Sequence, residues 1–165
     1  MAVDLGLHIE QINASTHTLI QTASDLQKSL LHINQAAEHT PLTLSNITTQ
    51  CNVVSLSLRL LQRVLGQNSN GALLQFEDVR QETEMSIASC AHTFAMVKQA
   101  LLPLLTERKD TDGNRADEAY QAATSSPRLR ELLDLLRGQQ TALQLLLSLW
   151  QRCVFWYSRT VQPNL

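Results

Sequence analysis

The sequence predicts an all-α protein, built as an up-and-down bundle of about four long helices. Three observations predict this class. Apolar residues recur three or four positions apart over long stretches, which places them on one face of a helix. No useful length of chain alternates apolar and polar residues with the period of two that a strand requires. Breaks rich in Pro, Gly, Asn and Asp separate the periodic stretches.

The first two helices are predicted from the two stripes that flank a break at residues 39–41. The first stripe contains Leu5, Ile9, Ile12, Thr16, Leu19, Ala23, Leu26, Leu30, Ile33 and Ala37. Thr40 and Pro41 suit the cap and first turn of the second helix. The second stripe contains Leu44, Ile47, Cys51, Val54, Leu58, Leu61 and Leu65. Gly66 follows it, and we expect this glycine to lie just beyond the helix end.

The last two helices flank a polar segment at residues 110–114. The third stripe contains Phe76, Val79, Thr83, Ile87, Cys90, Phe94, Val97, Leu101 and Leu104, and we expect Pro103 to kink or fray its last turns. Residues 116–123 are predicted as a short extra helix. Ser126 and Pro127 then open the fourth long helix by the same cap-and-proline pattern. Its stripe contains Leu129, Leu133, Leu136, Gln140, Leu143, Leu147, Trp150, Val154 and Tyr157.

Length and composition predict one domain over residues 1–165. The chain is 44% hydrophobic and 17% charged, which suits a packed protein. Short connections favour antiparallel contact between the first and second helices and between the second and third. A net charge of -2 argues against a nucleic-acid partner and gives no electrostatic attraction to an anionic membrane. No signal peptide or membrane-spanning run is recognisable, so we expect a cytoplasmic protein.

The sequence contains no pattern that predicts an enzyme, a metal site or a cofactor. The five histidines are scattered, and none forms the i, i+4 pair that places two ligands on one helical face. Glu77, Asp78, Glu82 and Glu84 point mostly away from the third stripe, as a solvated face would. Cys51, Cys90 and Cys153 fall within or beside apolar stripes, so we expect free and mostly buried thiols.

The end of the fourth segment carries more apolar residues than one helical face can hold. We therefore predict an interaction surface for another protein, formed by Leu149, Trp150, Phe155, Trp156 and Tyr157. The alternative is a central helix that several neighbours cover. Gly138 interrupts the same segment, and we expect a close helix contact there because glycine in a helix otherwise costs about 1 kcal/mol relative to alanine.

Residues 132–147, LLDLLRGQQTALQLLL, resemble the closing motif of a fungal N-terminal helical domain found at the front of STAND (NLR-like) proteins. The most specific part contains Arg137, Gly138, Gln139, Gln140, Ala142 and Leu143. Residues 87–90 (IASC) and 3–7 (VDLGL) are similar to weaker, earlier segments of that family. The family is similar in organisation to the HeLo and HeLo-like domains of fungal incompatibility proteins, which are helical bundles.

The resemblance implies a signalling module that lies ahead of a nucleotide-binding domain in a longer protein. Such a module acts by self-association or by docking a neighbouring domain. The alternative that the resemblance implies is a HeLo-type cell-death effector, recruited to a membrane and perturbing it through an N-terminal helix; here that helix would use Leu5, Ile9 and Ile12. Asp4 and Glu10 lie in the same turns and make insertion costly, which favours the association hypothesis.

Overall fold

The computed structural model of the chain describes residues 2–35, 42–67, 77–106, 124 and 126–161. Within these ranges it has four long helices, α1 (Ala2–Gln35), α2 (Leu42–Gln67), α3 (Glu77–Thr106) and α4 (Pro127–Val161), and no strand. The helices pack against one another as a bundle, so the all-α fold class is confirmed. The predicted short helix at residues 116–123 and the predicted cap at Thr40 and Pro41 lie outside the described residues.

The predicted stripes form the core. Every member of the second stripe is buried, and so is every described member of the third from Val79 to Leu104. In α4 the stripe is buried at Leu129, Leu133, Leu136, Leu143 and Trp150. Because residues three and four apart share a helical face, each helix turns one continuous apolar side inward. The burial of these side chains supplies the main driving force for folding.

The four helices form a ring in the order α1, α2, α4, α3. The extensive interfaces are α1 with α2, α2 with α4, α4 with α3 and α3 with α1. The prediction that α2 and α3 are neighbours is therefore wrong, because these two helices lie diagonally across the bundle. With axes about 8–10 Å apart, the diagonal is only about 14 Å. The stretch from Gln67 to Glu77 can cross that distance, since an extended residue spans about 3.3 Å.

The helix ends confirm one predicted signal and correct another. The backbone N–H of Leu129 donates to Ser126 Oγ at 3.4 Å and to the Ser126 carbonyl at 3.2 Å, so Ser126 caps α4 as expected. Gly66 does not lie beyond α2, because the helix continues through it to Gln67. Pro103 lies inside α3, three residues before its last residue, Thr106, and the predicted kink or fraying there stays a prediction.

Candidate interaction surface

A buried hydrogen bond joins the inner face of α4 to α3. Trp150 is fully buried, and its indole Nε1 donates to Thr83 Oγ1 at 3.2 Å. The Thr83 hydroxyl in turn donates to the Val79 carbonyl at 2.6 Å, so both polar groups are satisfied. The assignment of Trp150 to the interaction surface is therefore wrong. The Trp150 side chain belongs to the core, because its indole N–H donates to an acceptor inside the bundle.

A second set of hydrogen bonds links the two segments that carry the family resemblance. The amide Nε2 of Gln139 donates to Ser89 Oγ at 2.7 Å, and the Cys90 thiol donates to Gln139 Oε1 at 3.4 Å. One side chain of α4 thus holds two consecutive residues of α3. Thr83 precedes Ser89 in α3, but its partner Trp150 follows the partner of Ser89, Gln139, in α4. The two helices therefore run antiparallel.

The outer face of α4 carries a second apolar stripe, which we call the outer stripe. It consists of Leu135, Gly138, Ala142, Leu145 and Leu149, and every member is exposed. The exposed fractions of the three leucines are 43%, 67% and 40%. Their alternating spacing of three and four is the spacing with which helices pair along a shared seam. The bundle buries its core without this stripe, so the stripe is available for contact with another protein.

The interaction surface that the sequence predicted shares only Leu149 with the outer stripe. Phe155 is 61% exposed, but it follows Leu149 by six residues and therefore lies about 120° away around the helix axis. Leu149 and Phe155 thus belong to different faces. The side chains of Trp156 and Tyr157 lie outside the described part of the chain. Leu135, Ala142 and Leu145 were missed as surface residues, although their three-four spacing was readable.

Gly138 is at an open position rather than at a helix contact. A Cβ added there would meet no atom within 4 Å, so the predicted close contact inside the bundle is wrong. The alternative of a central α4 is also not what the fold has, because α4 occupies one corner of the ring and contacts α2 and α3. Gly138 and Ala142 instead leave a shallow, small-residue centre in the outer stripe, with leucines at both ends.

Polar and charged side chains border the outer stripe. Arg137 Nη1 and Asp134 Oδ1 form an exposed ion pair at 3.0 Å on the polar side of α4. Glu131 and Arg152, both exposed, continue the three-four spacing of the stripe at its two ends. On the α3 side, Met85 lies one turn before Ser89 and is 49% exposed. The stripe thus has an acid at one end and a base at the other.

The predicted membrane residues lie on α1, where Ile12 is only 3% exposed and belongs to the core. In this packing Ile12 cannot contact lipid; the side chains of Leu5 and Ile9 lie outside the described part of the structure. Beside Ile12, a groove of about 620 Å³ runs between α1 and α3. Its ionisable lining groups among the described residues are His8 and Glu84, whose Nδ1 and Oε1 atoms are 3.9 Å apart.

Two of the three cysteine thiols are buried. Cys51 and Cys90 are free and buried, as predicted, while Cys153 is free and partly exposed. Burial raises the pKa of the Cys51 and Cys90 thiols to about 12, because a thiolate loses its hydration inside the bundle. At neutral pH both thiols are therefore protonated in the folded chain.

Two further features are absent from the described residues. Three or more His, Cys, Asp or Glu side chains do not come together there as metal ligands would. No helix in the same ranges is both long and apolar enough to cross a membrane.

Comparison of the chain with protein-family models, with curated proteins and with solved structures gives no match. The resemblance to the fungal N-terminal domain therefore stays a prediction.

Proposed function

We propose that this bundle is a non-catalytic protein-interaction module that acts by self-association or by docking a neighbouring domain. The observation that carries the proposal is the outer stripe of α4, an apolar seam that the bundle itself does not cover. Covering its three leucines would remove apolar surface from water, which is favourable by about 25 cal/mol per Å². Its place in a fungal NLR-like signalling protein rests on the resemblance of residues 132–147 alone.

The three-four spacing of residues in the outer stripe favours a helix as the partner element that contacts it. Alternation of three and four residues keeps a seam on one side of a helix with a drift of only about 20° per seven residues. The small side chains at Gly138 and Ala142 allow a second helix to approach closely, and the flanking leucines provide knobs. A helix of the same or of another chain would thus fit the stripe better than a loop would.

A membrane-perturbing role finds less support. Ile12 is buried, so insertion through α1 would require this helix to leave the bundle and expose the core that it covers. The net charge of -2 adds no attraction to anionic lipid. We therefore expect the folded chain to release no dye from liposomes. Leakage that disappears when Ile12 is replaced by Asn in a folded variant would favour the effector alternative.

Sedimentation velocity of wild type and two neighbouring variants tests the proposal. Leu145→Glu places a charge in the outer stripe, whereas Gln144→Glu places the same charge on an exposed polar position one residue earlier. We expect Leu145→Glu to weaken self-association at least tenfold, because a carboxylate would lose hydration in the contact. Gln144→Glu should associate like wild type. Circular dichroism should show both variants fully helical.

Two results would contradict the proposal. If Leu145→Glu associates as strongly as wild type, the outer stripe is not the interaction surface. If Gln144→Glu weakens association to the same degree, the effect is one of net charge and not of the apolar seam.

A further inference from the structure

The outer stripe has ends that complement each other in charge and a centre that complements itself in size. From Glu131 to Arg152 its positions are Glu, Leu, Gly, Ala, Leu, Leu and Arg, at residues 131, 135, 138, 142, 145, 149 and 152. All seven are exposed. Ala142 is the middle position; the stripe residues before it lie 4, 7 and 11 positions away and those after it 3, 7 and 10, so the two halves correspond to within one residue. In a two-fold interface residue i contacts residue j of the second copy while j contacts i, so the matched positions must complement each other, as Glu with Arg, Leu with Leu and Gly with Leu do here.

We propose that two copies of this chain pair antiparallel along the outer stripe of α4, about a two-fold axis at Ala142. This inference rests on the proposed function, which leaves open whether the partner is a second copy. In such a pairing Leu145 faces Gly138 of the partner subunit, and Leu135 faces Leu149 of the partner subunit. Large side chains thus meet small ones beside the axis, and leucine meets leucine farther out.

Charge complementarity selects the antiparallel arrangement. With Ala142 on the axis, Glu131 lies opposite Arg152 of the partner subunit, so the dimer has one acid–base pair at each end. A parallel pairing would instead place Glu131 beside Glu131 of the partner subunit and leave Gly138 against Gly138 of the partner subunit. Like charges would then repel, and the two glycines would leave a gap between the helices.

The dimensions also suit a helix pair. The seam from Glu131 to Arg152 is about 32 Å long at 1.5 Å per residue. Gly138 and Ala142 allow the axes to approach to about 8 Å, the short end of the usual range. An unrelated partner would not need the stripe to be self-complementary.

A charge-exchange series tests the two-fold geometry. Glu131→Arg and Arg152→Glu each replace both attractive end pairs of the dimer with like charges. Each should weaken dimerisation roughly tenfold at low salt, since exposed pairs contribute about 0.2–1 kcal/mol each and their reversal adds repulsion. The double variant Glu131→Arg/Arg152→Glu should dimerise like wild type. An equimolar mixture of the two single variants should form heterodimers more readily than either forms homodimers.

Controls distinguish this inference from the broader proposed function. Arg130→Glu makes the same charge change as Arg152→Glu at an exposed position off the stripe, and it should leave dimerisation unchanged. Raising the salt concentration should shrink the effect of the single variants, because salt screens exposed charges. Sedimentation equilibrium at matched concentrations gives the dissociation constant of each sample.

The charge-exchange series has three distinguishable outcomes. Restoration by the double variant supports the antiparallel two-fold pair. If the single variants have no effect, or the double variant stays weak, while Leu145→Glu still disrupts association, the two-fold inference is overturned and the interaction surface stands. If the wild-type chain is monomeric up to several hundred micromolar, both the two-fold pair and self-association are overturned.

Discussion

The buried pair of Thr83 and Trp150 gives the sharpest test of how the inner face of α4 is held. Replacing Thr83 by Val keeps the branched shape but removes the acceptor of the Trp150 indole N–H. Both side chains are fully buried, so water cannot replace the lost bond. An unsatisfied buried donor costs about 1–3 kcal/mol. For a chain of this size that corresponds to a fall in Tm of about 2–12 °C, at 2–4 °C per kcal/mol.

Thermal unfolding followed by circular dichroism measures this effect, at one protein concentration because association shifts Tm. Thr141→Val is the matched control, since the Thr141 hydroxyl makes the same kind of bond, to the Arg137 carbonyl at 3.1 Å, but on the exposed face. It should change stability by less than about 0.5 kcal/mol. In a Trp150→Phe background the cost of Thr83→Val should largely disappear, because the donor is gone. A Thr83→Val protein as stable as wild type, or an equal cost in both backgrounds, would refute the reasoning.

Three further predictions concern the core and its surroundings. Leu136→Asp should unfold the chain or sharply lower its Tm, because an unpaired carboxylate at this fully buried position costs several kcal/mol, comparable to the total stability; a native circular dichroism spectrum and an unchanged Tm would contradict the core assignment. At a protein concentration at which the chain is monomeric, Gly138→Ala should raise the free energy of unfolding by about 0.5–1 kcal/mol, since the added methyl meets no atom of its own bundle, and an unchanged or lower Tm would show that the position is not open. At pH 8 a thiol reagent should modify Cys153 well before Cys51 and Cys90, whose pKa burial raises to about 12, and equal labelling rates by mass spectrometry would contradict their burial. In the unfolded chain the thiols of Cys51 and Cys90 ionise near pH 9.0, whereas in the folded chain they stay protonated up to about pH 12. Their contribution to the free energy of unfolding is therefore complete below pH 9.0 and declines as the pH rises towards 12.

The sequence predicts the core well because helix periodicity is a local property. A residue such as Leu58 or Phe94 is assigned to the core by its neighbours three and four positions away, and both are fully buried. The ring order was not predictable in this way. The diagonal placement of α2 and α3 depends on how four finished helices pack together, and the length of the connecting stretch permits either arrangement.

The sequence predicts only part of the outer stripe when apolar residues are grouped by how close they lie along the chain and not by their angle around the helix. Leu149 and Trp150 are adjacent in sequence but lie about 100° apart around the helix axis. Leu149 is therefore exposed while Trp150 is buried. The outer stripe is the core stripe displaced by one residue: Leu135 precedes Leu136, Ala142 precedes Leu143, and Leu149 precedes Trp150. Plotting each residue by angle separates the two stripes from sequence alone. The Trp150–Thr83 bond cannot be found this way, because it joins residues 67 positions apart.

Disulfide trapping at the axis tests the central claim, that the outer stripe pairs two copies about Ala142, most directly. Ala142→Cys and Gln144→Cys would each be made in a Cys153→Ser background, because Cys153 is the partly exposed native thiol of the described chain. Across a two-fold axis at residue 142, the two new cysteines fall within the roughly 4.4–6.8 Å between Cα atoms that a disulfide spans. Mild oxidation should convert Ala142→Cys into a covalent dimer of twice the 18.4 kDa chain mass and leave Gln144→Cys largely monomeric. Equal and slow cross-linking of the two variants would contradict the claim.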